Sequence, residues 1–263
     1  MEGINSIDKK EKIIITGGTE GIGRAIVKEL STDNDIVICA RTEEKINEIK
    51  DKYGVQGTKL DLNDIDKIEN FIQNSIKILG KINTVISNAA VAGIKESKDY
   101  VFNVNSESQK ILINKISSLL RESNGKIVLL TSSQAKNIIK DNSSYGESKK
   151  DIEDWLKDFS QKEENKNIQV IFIIPGSVDT RMHEDAINFG GKEIRDRSVK
   201  LKESGKLRDP NIIGKIISKI STSGNNFNPE TRKYDIPIKQ GDTITISDEN
   251  VKFESENFKD PQV

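Results

Sequence analysis

Six times between Lys12 and Pro175, a short apolar, mostly β-branched run gives way to a stretch with helical spacing. The runs are KIIIT, IVICA, VQGTKLDL, INTVISNAA, KIVLLTS and QVIFIIPG, starting at Lys12, Ile36, Val55, Ile82, Lys126 and Gln169. The first intervening stretch, GIGRAIVKEL, places Ile22, Ile26, Val27 and Leu30 on one helical face. EEKINEIKDKY and IDKIENFIQNSIKIL follow, then a helix around Ser106 to Arg121 and another beginning near Tyr145. Short continuous apolar runs read as strands buried on both faces, and their alternation with helices implies βαβ units in a parallel sheet. Right-handed crossovers then place helices on both sides of it. The expectation is an α/β fold: a doubly wound parallel sheet in three αβα layers, one domain over 1–224.

Beyond Gly176 the pattern loosens. HEDAINFGGKEIRDRSVKLKESGKLRD predicts one or two short helices above the sheet, a small lobe over about 181–208. PNIIGKIISKI is an amphipathic helix with proline near its start, where the missing N–H costs nothing. Residues 225–263 read as an extension packed on, or trailing from, the same domain. Within it KQGDTITI looks like a strand after a glycine turn, and the last dozen residues are polar and expected to fray.

Bulk properties narrow the function. The 263 residues carry 41 basic and 42 acidic side chains, a formal net charge of −1. That balance gives no electrostatic reason to expect nucleic acid or an anionic membrane as partner. No apolar run is long enough to span a bilayer, and MEGINSIDKKEK does not resemble a secretion signal. A lone cysteine, Cys39, precludes an internal disulfide, and with one histidine it speaks against a zinc site; no metal is expected. The reading is a soluble cytoplasmic protein.

The segment Thr16-Gly-Gly-Thr-Glu-Gly-Ile-Gly23 joins the first strand to the first helix. Glycines at 17, 21 and 23 permit a tight turn and close approach of a phosphate, and the helix N-terminus offers free N–H groups. In that context the loop predicts dinucleotide binding. Arg41, after the second strand, suits a 2′-phosphate and favours NADP(H), with NAD(H) the alternative; Glu20, beside Gly21, works against a 2′-phosphate.

The ordered motifs resemble the short-chain dehydrogenase/reductase family in its compact, non-extended branch, a Rossmann fold. The resemblance spans about Lys12 to Ile220. Thr16 to Gly23 matches TGxxxGxG, and Asp61-Leu62 the adenine-contacting Asp. Ser87-Asn88-Ala89-Ala90 matches NNAG, Asn105 the helix asparagine and Ser132-Ser133 the serine. Tyr145-Gly-Glu-Ser-Lys149 matches YxxxK, and Pro175-Gly176-Ser-Val-Asp-Thr180 matches PGxxxT. Three features depart from the pattern: alanine at Ala90, a short stretch between Ala90 and Asn105, and a tail lacking the usual closing strand with paired glycines.

The resemblance implies hydride transfer between NADP(H) and a carbonyl or secondary alcohol, a small-molecule substrate. Residues four apart share a helical face, so Tyr145 and Lys149 can point into one cleft. Tyr145 would be the general acid–base, with Lys149 lowering its pKa from the usual value of about 10. Ser133, with Ser132 as alternative, would bind the reacting oxygen, and Asn105 would hold a water relaying protons. The implied cofactor contacts are Gly17, Thr19, Gly21, Ile22, Gly23, Arg41, Asp61, Leu62, Asn88, Ala89, Tyr145, Lys149, Pro175, Gly176, Val178 and Thr180. Thr180 reads equally as a helix N-cap, and His183 as a surface residue. Residues 181–208 would be the substrate lobe. The apolar faces Ile111, Leu112, Ile116, Leu119, Leu120 and Ile152, Trp155, Leu156, Phe159 suit packing on the sheet; the resemblance adds a homodimer through them, with a tetramer left open. Rival readings are a non-catalytic NADP(H)-binding sensor or scaffold, and dehydration or isomerisation on the same frame.

Overall fold

The computed structural model describes residues 10–222 and 240–246, and the backbone of 251–254. Among the described residues, eight strands form one sheet: β1 Lys12–Thr16, β2 Asp35–Ala40, β3 Gln56–Lys59, β4 Thr84–Ser87, β5 Lys126–Leu130, β6 Gln169–Ile174, β7 Thr243–Ile246 and β8 Val251–Glu254. Their order is β3-β2-β1-β4-β5-β6-β7-β8. Every neighbouring pair from β3 to β7 is parallel, and β8 runs antiparallel to β7.

The helices are α1 Gly21–Leu30, α2 Glu43–Tyr53, α3 Ile68–Leu79, α4 Lys98–Phe102, α5 Ser108–Ser123, α6 Ser143–Gln161, α7 Arg181–Phe189, α8 Lys192–Glu203 and α9 Pro210–Thr222. The two-residue period of a strand divides β1 between two cores. Ile14 faces one side with Phe71, Ile113 and Leu156, from α3, α5 and α6. Ile13 and Ile15 face the other with Ile26, Ile213 and Ile217, from α1 and α9. Both faces are thus covered, which is why the strands read as unbroken apolar runs. Each such buried isoleucine contributes about 1.5–3 kcal/mol. Edge strand β3, QGTK, lacks that need and is polar.

Several elements differ from expectation. The third run, read to Leu62, is strand only as far as Lys59, and Leu60 and Leu62 beyond it lie in the core. The short stretch after Ala90 retains its helix: α4 passes through a π-helical turn, Asn103–Glu107, directly into α5. The tail supplies a closing strand after all. In TITI, Ile244 and Ile246 join the α1–α9 core, and β7 pairs with β6 in the register Phe172↔Thr243. Of the last dozen residues, expected to fray, 252–254 belong to β8 and pair with β7, and the rest lie outside those described.

The chain order reverses between β1 and β4, so the connections leaving these strands diverge and open a crevice at the carboxyl ends. Among the described residues, no helix is long and apolar enough to cross a membrane.

Candidate active site

A cleft of about 630 Å³ lies at this reversal. Its floor is the loop from β1 to α1. Gly17 and Gly21 take positive φ of 72° and 51°, which side chains strongly resist. At Gly23 a Cβ would stand 2.1 Å from the Gly17 carbonyl oxygen, so the turn closes only on glycine. Glu20 occupies the N-cap of α1 without capping it, and the first turn holds no acid. The helix therefore presents unsatisfied N–H groups and its positive end to the cleft, a fitting cradle for a pyrophosphate. Thr19 and Ile22 line the same floor.

Asn88 braces this loop from β4. Its amide donates to the carbonyls of Thr16 at 2.9 Å and Gly17 at 3.0 Å. The Thr16 hydroxyl accepts from the backbone N–H of Asn88 and Ala89. Asn88 thus shapes the cradle through its amide N–H groups while lining the cleft.

At the β2 end, Arg41 donates to the Tyr100 hydroxyl at 3.4 Å, and Tyr100 donates to Asp61 at 2.8 Å. Leu62 is core, although its edge reaches the cleft. Glu20 pairs with Lys45 of α2, which removes the isolated negative charge that weighed against a 2′-phosphate. Neither Tyr100 nor Lys45 was anticipated; both were hidden because the pairings join residues far apart in sequence. Cys39 borders the cleft, but burial pushes its thiol up to about 12, far from a useful thiolate.

The far end is built by β5 and α6. Lys149 is 3% exposed and donates to the Leu130 carbonyl at 2.8 Å. Burial brings its pKa down to about 8, against the opposing pull of Glu153. Its Nζ lies 6.0 Å from the centre of the Tyr145 ring. Tyr145 is held above its ordinary value by burial, and the group that lowers it is the hydroxyl of Ser132. Two expectations change here. Ser132 faces the phenol, while Ser133 opens the following 3-10 turn and is exposed. The group that draws the tyrosine downward is Ser132, where Lys149 was expected.

Asn105 sits in the π-helical turn, 1% exposed. Its amide clasps Val91 from both sides, accepting from the N–H at 2.8 Å and donating to the carbonyl at 3.0 Å. It also donates to Ser148 of α6 at 3.1 Å. Both amide N–H groups and one lone pair of the oxygen are engaged in fixing the loop after β4 and in the bond to α6.

The roof follows β6. Pro175, Gly176 and Val178 line the cleft, and Arg208 ties them down by donating to the Pro175 carbonyl at 3.2 Å and to the Ile246 carbonyl of β7. Thr180 is the N-cap residue of α7 but its side chain makes no cap bond; its methyl lies 3.1 Å from where a Gly21 Cβ would stand. The 181–208 lobe is α7 and α8, and Ile194, Arg197, Ser198 and Leu201 show one face of α8 to the cleft. His183, taken for a surface residue, bonds the Ser198 carbonyl at 3.0 Å and joins the two helices. Lys95, from the loop after β4, pairs with Asp185 of α7 at 2.6 Å across the opening.

A dinucleotide cradle beside a phenol, a serine and a buried amine defines a nicotinamide-type oxidoreductase. The chain belongs to the short chain dehydrogenase family, whose model matches residues 11–188. It is similar to a benzil reductase ((S)-benzoin forming) of Saccharomyces cerevisiae, 26% identical over 237 residues, covering 81% of this chain and 90% of the relative. A trihydroxynaphthalene reductase of Pestalotiopsis fici is 28% identical over 217 residues, 75% and 76% of the two chains. Among solved structures, the KRED1-Pglu enzyme superposes with a TM-score of 0.74 at 23% identity, covering 86% of this chain and 99% of its own. A 3-oxoacyl-[acyl-carrier protein] reductase from Brucella melitensis in complex with NAD gives 0.68 at 19%, covering 81% and 90%. At these identities the structures speak for the fold.

Proposed function

We propose that the protein is a cytoplasmic, NADP(H)-dependent reductase of ketones or aldehydes, working in reverse on secondary alcohols. The observation that carries this is the meeting of the Ser132 hydroxyl and the Tyr145 phenol on the cleft wall, with buried Lys149 beside them. A nicotinamide dinucleotide held over the Gly17, Gly21 and Gly23 loop would supply the hydride for the carbonyl carbon. Ser132 donates to the carbonyl oxygen and holds it against Tyr145. Tyr145 delivers its phenolic proton to that oxygen as negative charge develops there, against the opposing effect of its burial. Lys149, as the ammonium, favours the phenolate left behind. Asn105 serves as a positioning residue, holding the Val91 loop against the substrate side.

Arg41 and Lys45, both on the cleft near the end of β2, favour the 2′-phosphate of NADP(H). A homodimer through α5 and α6 remains part of the proposal on a narrower basis. Most of their apolar face packs on the sheet, leaving Ile111, Leu119 and Trp155 partly buried at its margin.

The test is consumption of NADPH with a panel of ketones and aldehydes, repeated with Tyr145→Phe. The variant should bind NADPH normally and lose roughly 10²–10⁴-fold in turnover; an unchanged rate would refute the role of Tyr145.

A further inference from the structure

One buried acid beside the site has no part in the chemistry above. Glu153 lies on α6, four residues beyond Lys149 and about one helical turn away, and is 4% exposed. Acids are seldom buried this far unless they are paired. Two groups hold Glu153. One carboxylate oxygen accepts from the Thr131 hydroxyl at 2.8 Å, and the other lies 3.4 Å from the Lys157 ammonium. Thr131 stands between Leu130, the last residue of β5, and Ser132, and is 3% exposed. It lines the cleft, and Glu153 bonds it from the helix.

Lys149 makes the matching bond one residue earlier, to the Leu130 carbonyl at 2.8 Å. Two consecutive residues at the end of β5 are thus bonded to two residues one turn apart on α6. The bonds fasten the segment that leads into Ser132 to the helix that carries Tyr145. Glu153 also acts on the amine, because its negative charge opposes the burial that brings Lys149 down. The Leu130 carbonyl and Thr131 hydroxyl face this pair from β5 and the residue after it. Tyr145 and Lys157 face it from α6, and β6 adds the Phe172 ring, 5.9 Å from the Lys157 Nζ. Glu153 is the negative charge in that set.

Resting on the reductase reading above, we propose that Glu153 is a positioning residue for the reaction. It keeps Lys149 in the ammonium form while the enzyme works and, through Thr131, fixes Ser132 against Tyr145.

The experiment compares the full chain with Glu153→Gln and Thr131→Val. Glutamine keeps the shape and an oxygen for Thr131 but removes the charge; valine leaves the charge and removes the hydroxyl. The first readout is the titration of Lys149 by NMR, with the lysine carbon beside the amine labelled and the signal assigned from Lys149→Met. Glu153→Gln should lower its midpoint from about 8 by roughly one pH unit, as loss of a nearby opposite charge does. Thr131→Val should leave the midpoint in place. The second readout is NADPH-dependent reduction of a ketone the wild type accepts, followed against pH. Glu153→Gln should lose activity at a pH roughly one unit below the wild type. Thr131→Val should lower kcat roughly tenfold or more at every pH, with KM for NADPH unmoved. Circular dichroism checks that each variant is folded; should Glu153→Gln not fold, Thr131→Val decides. Wild-type titration and turnover in Glu153→Gln, or wild-type kcat in Thr131→Val, overturns the proposal while leaving the reductase standing. A wild-type chain that binds NADPH and reduces no carbonyl brings down the reductase reading and this inference with it.

Discussion

Strand β5 meets an amine at each end, half-buried at Lys126 and buried at Lys149, and the two have different surroundings. Lys126 begins the strand and donates to the Ser221 carbonyl at 2.9 Å, in the last turn of α9. Lys149 reaches from α6 to the strand's last carbonyl, that of Leu130, at 2.8 Å. Burial brings both down to about 8. At the amino end the amine meets helix carbonyls, where a cation favours the helix terminus. At the carboxyl end it meets Tyr145 and a cleft. A displaced pKa therefore records burial in both places. What separates them is which end of the sheet they occupy, because ligands of an open α/β sheet bind beyond its carboxyl ends.

The widest separation should come from replacing each lysine with methionine. Lys149→Met should cut kcat/KM for carbonyl reduction by roughly 10²–10³-fold. Lys126→Met should leave turnover within about twofold at a temperature where the fold holds; equal losses would erase the distinction. Next, Ser132→Ala should cost roughly 10²-fold in kcat, as loss of one donor to a developing oxyanion does. Ser133→Ala should stay near wild type, and the reverse order would restore the serine first expected from the motif. At the other end of the cleft, Arg41→Ala should raise KM for NADPH roughly tenfold and barely move that for NADH, about 1–2 kcal/mol of charge-assisted bonding. Equal effects on both cofactors would remove the 2′-phosphate assignment.

The smallest effect concerns stability against pH. A lysine with a folded pKa near 8 and an ordinary value of 10.5 is more readily protonated unfolded than folded. Folding then pays a penalty below pH 8, and stability rises as pH climbs from about 8 towards 10.5. Denaturant midpoints should follow that rise in wild type, less steeply in either single Met variant and least in the double. For Lys149 the whole span is worth about 3 kcal/mol. A midpoint falling with pH over this range would contradict the burial argument.

The sheet was legible because the alternation of runs such as KIIIT and IVICA with helical spacing is local information. So was the glycine cradle, where Gly17, Gly21 and Gly23 each meet a demand of the turn itself. The closing strand was harder to read. TITI carries no paired glycines, and its place beside β6 depends on pairing across some seventy residues. Choosing between Ser132 and Ser133 needed the path of the loop into α6, which a motif of variable length does not give. The engaged amides of Asn88 and Asn105 follow from contacts between elements distant in sequence. Sequence marked which residues matter at this end of the sheet, and packing showed what each one touches.

The most direct test follows the hydride itself. NADPH deuterated at the transferred position is incubated with a ketone the enzyme accepts, and the alcohol is analysed by mass spectrometry and NMR. The account predicts one deuterium on the carbinol carbon, taken from the cofactor, and a solvent-derived proton on oxygen. A carbinol carbon carrying no cofactor deuterium, or product formation that persists without the nicotinamide, would contradict it.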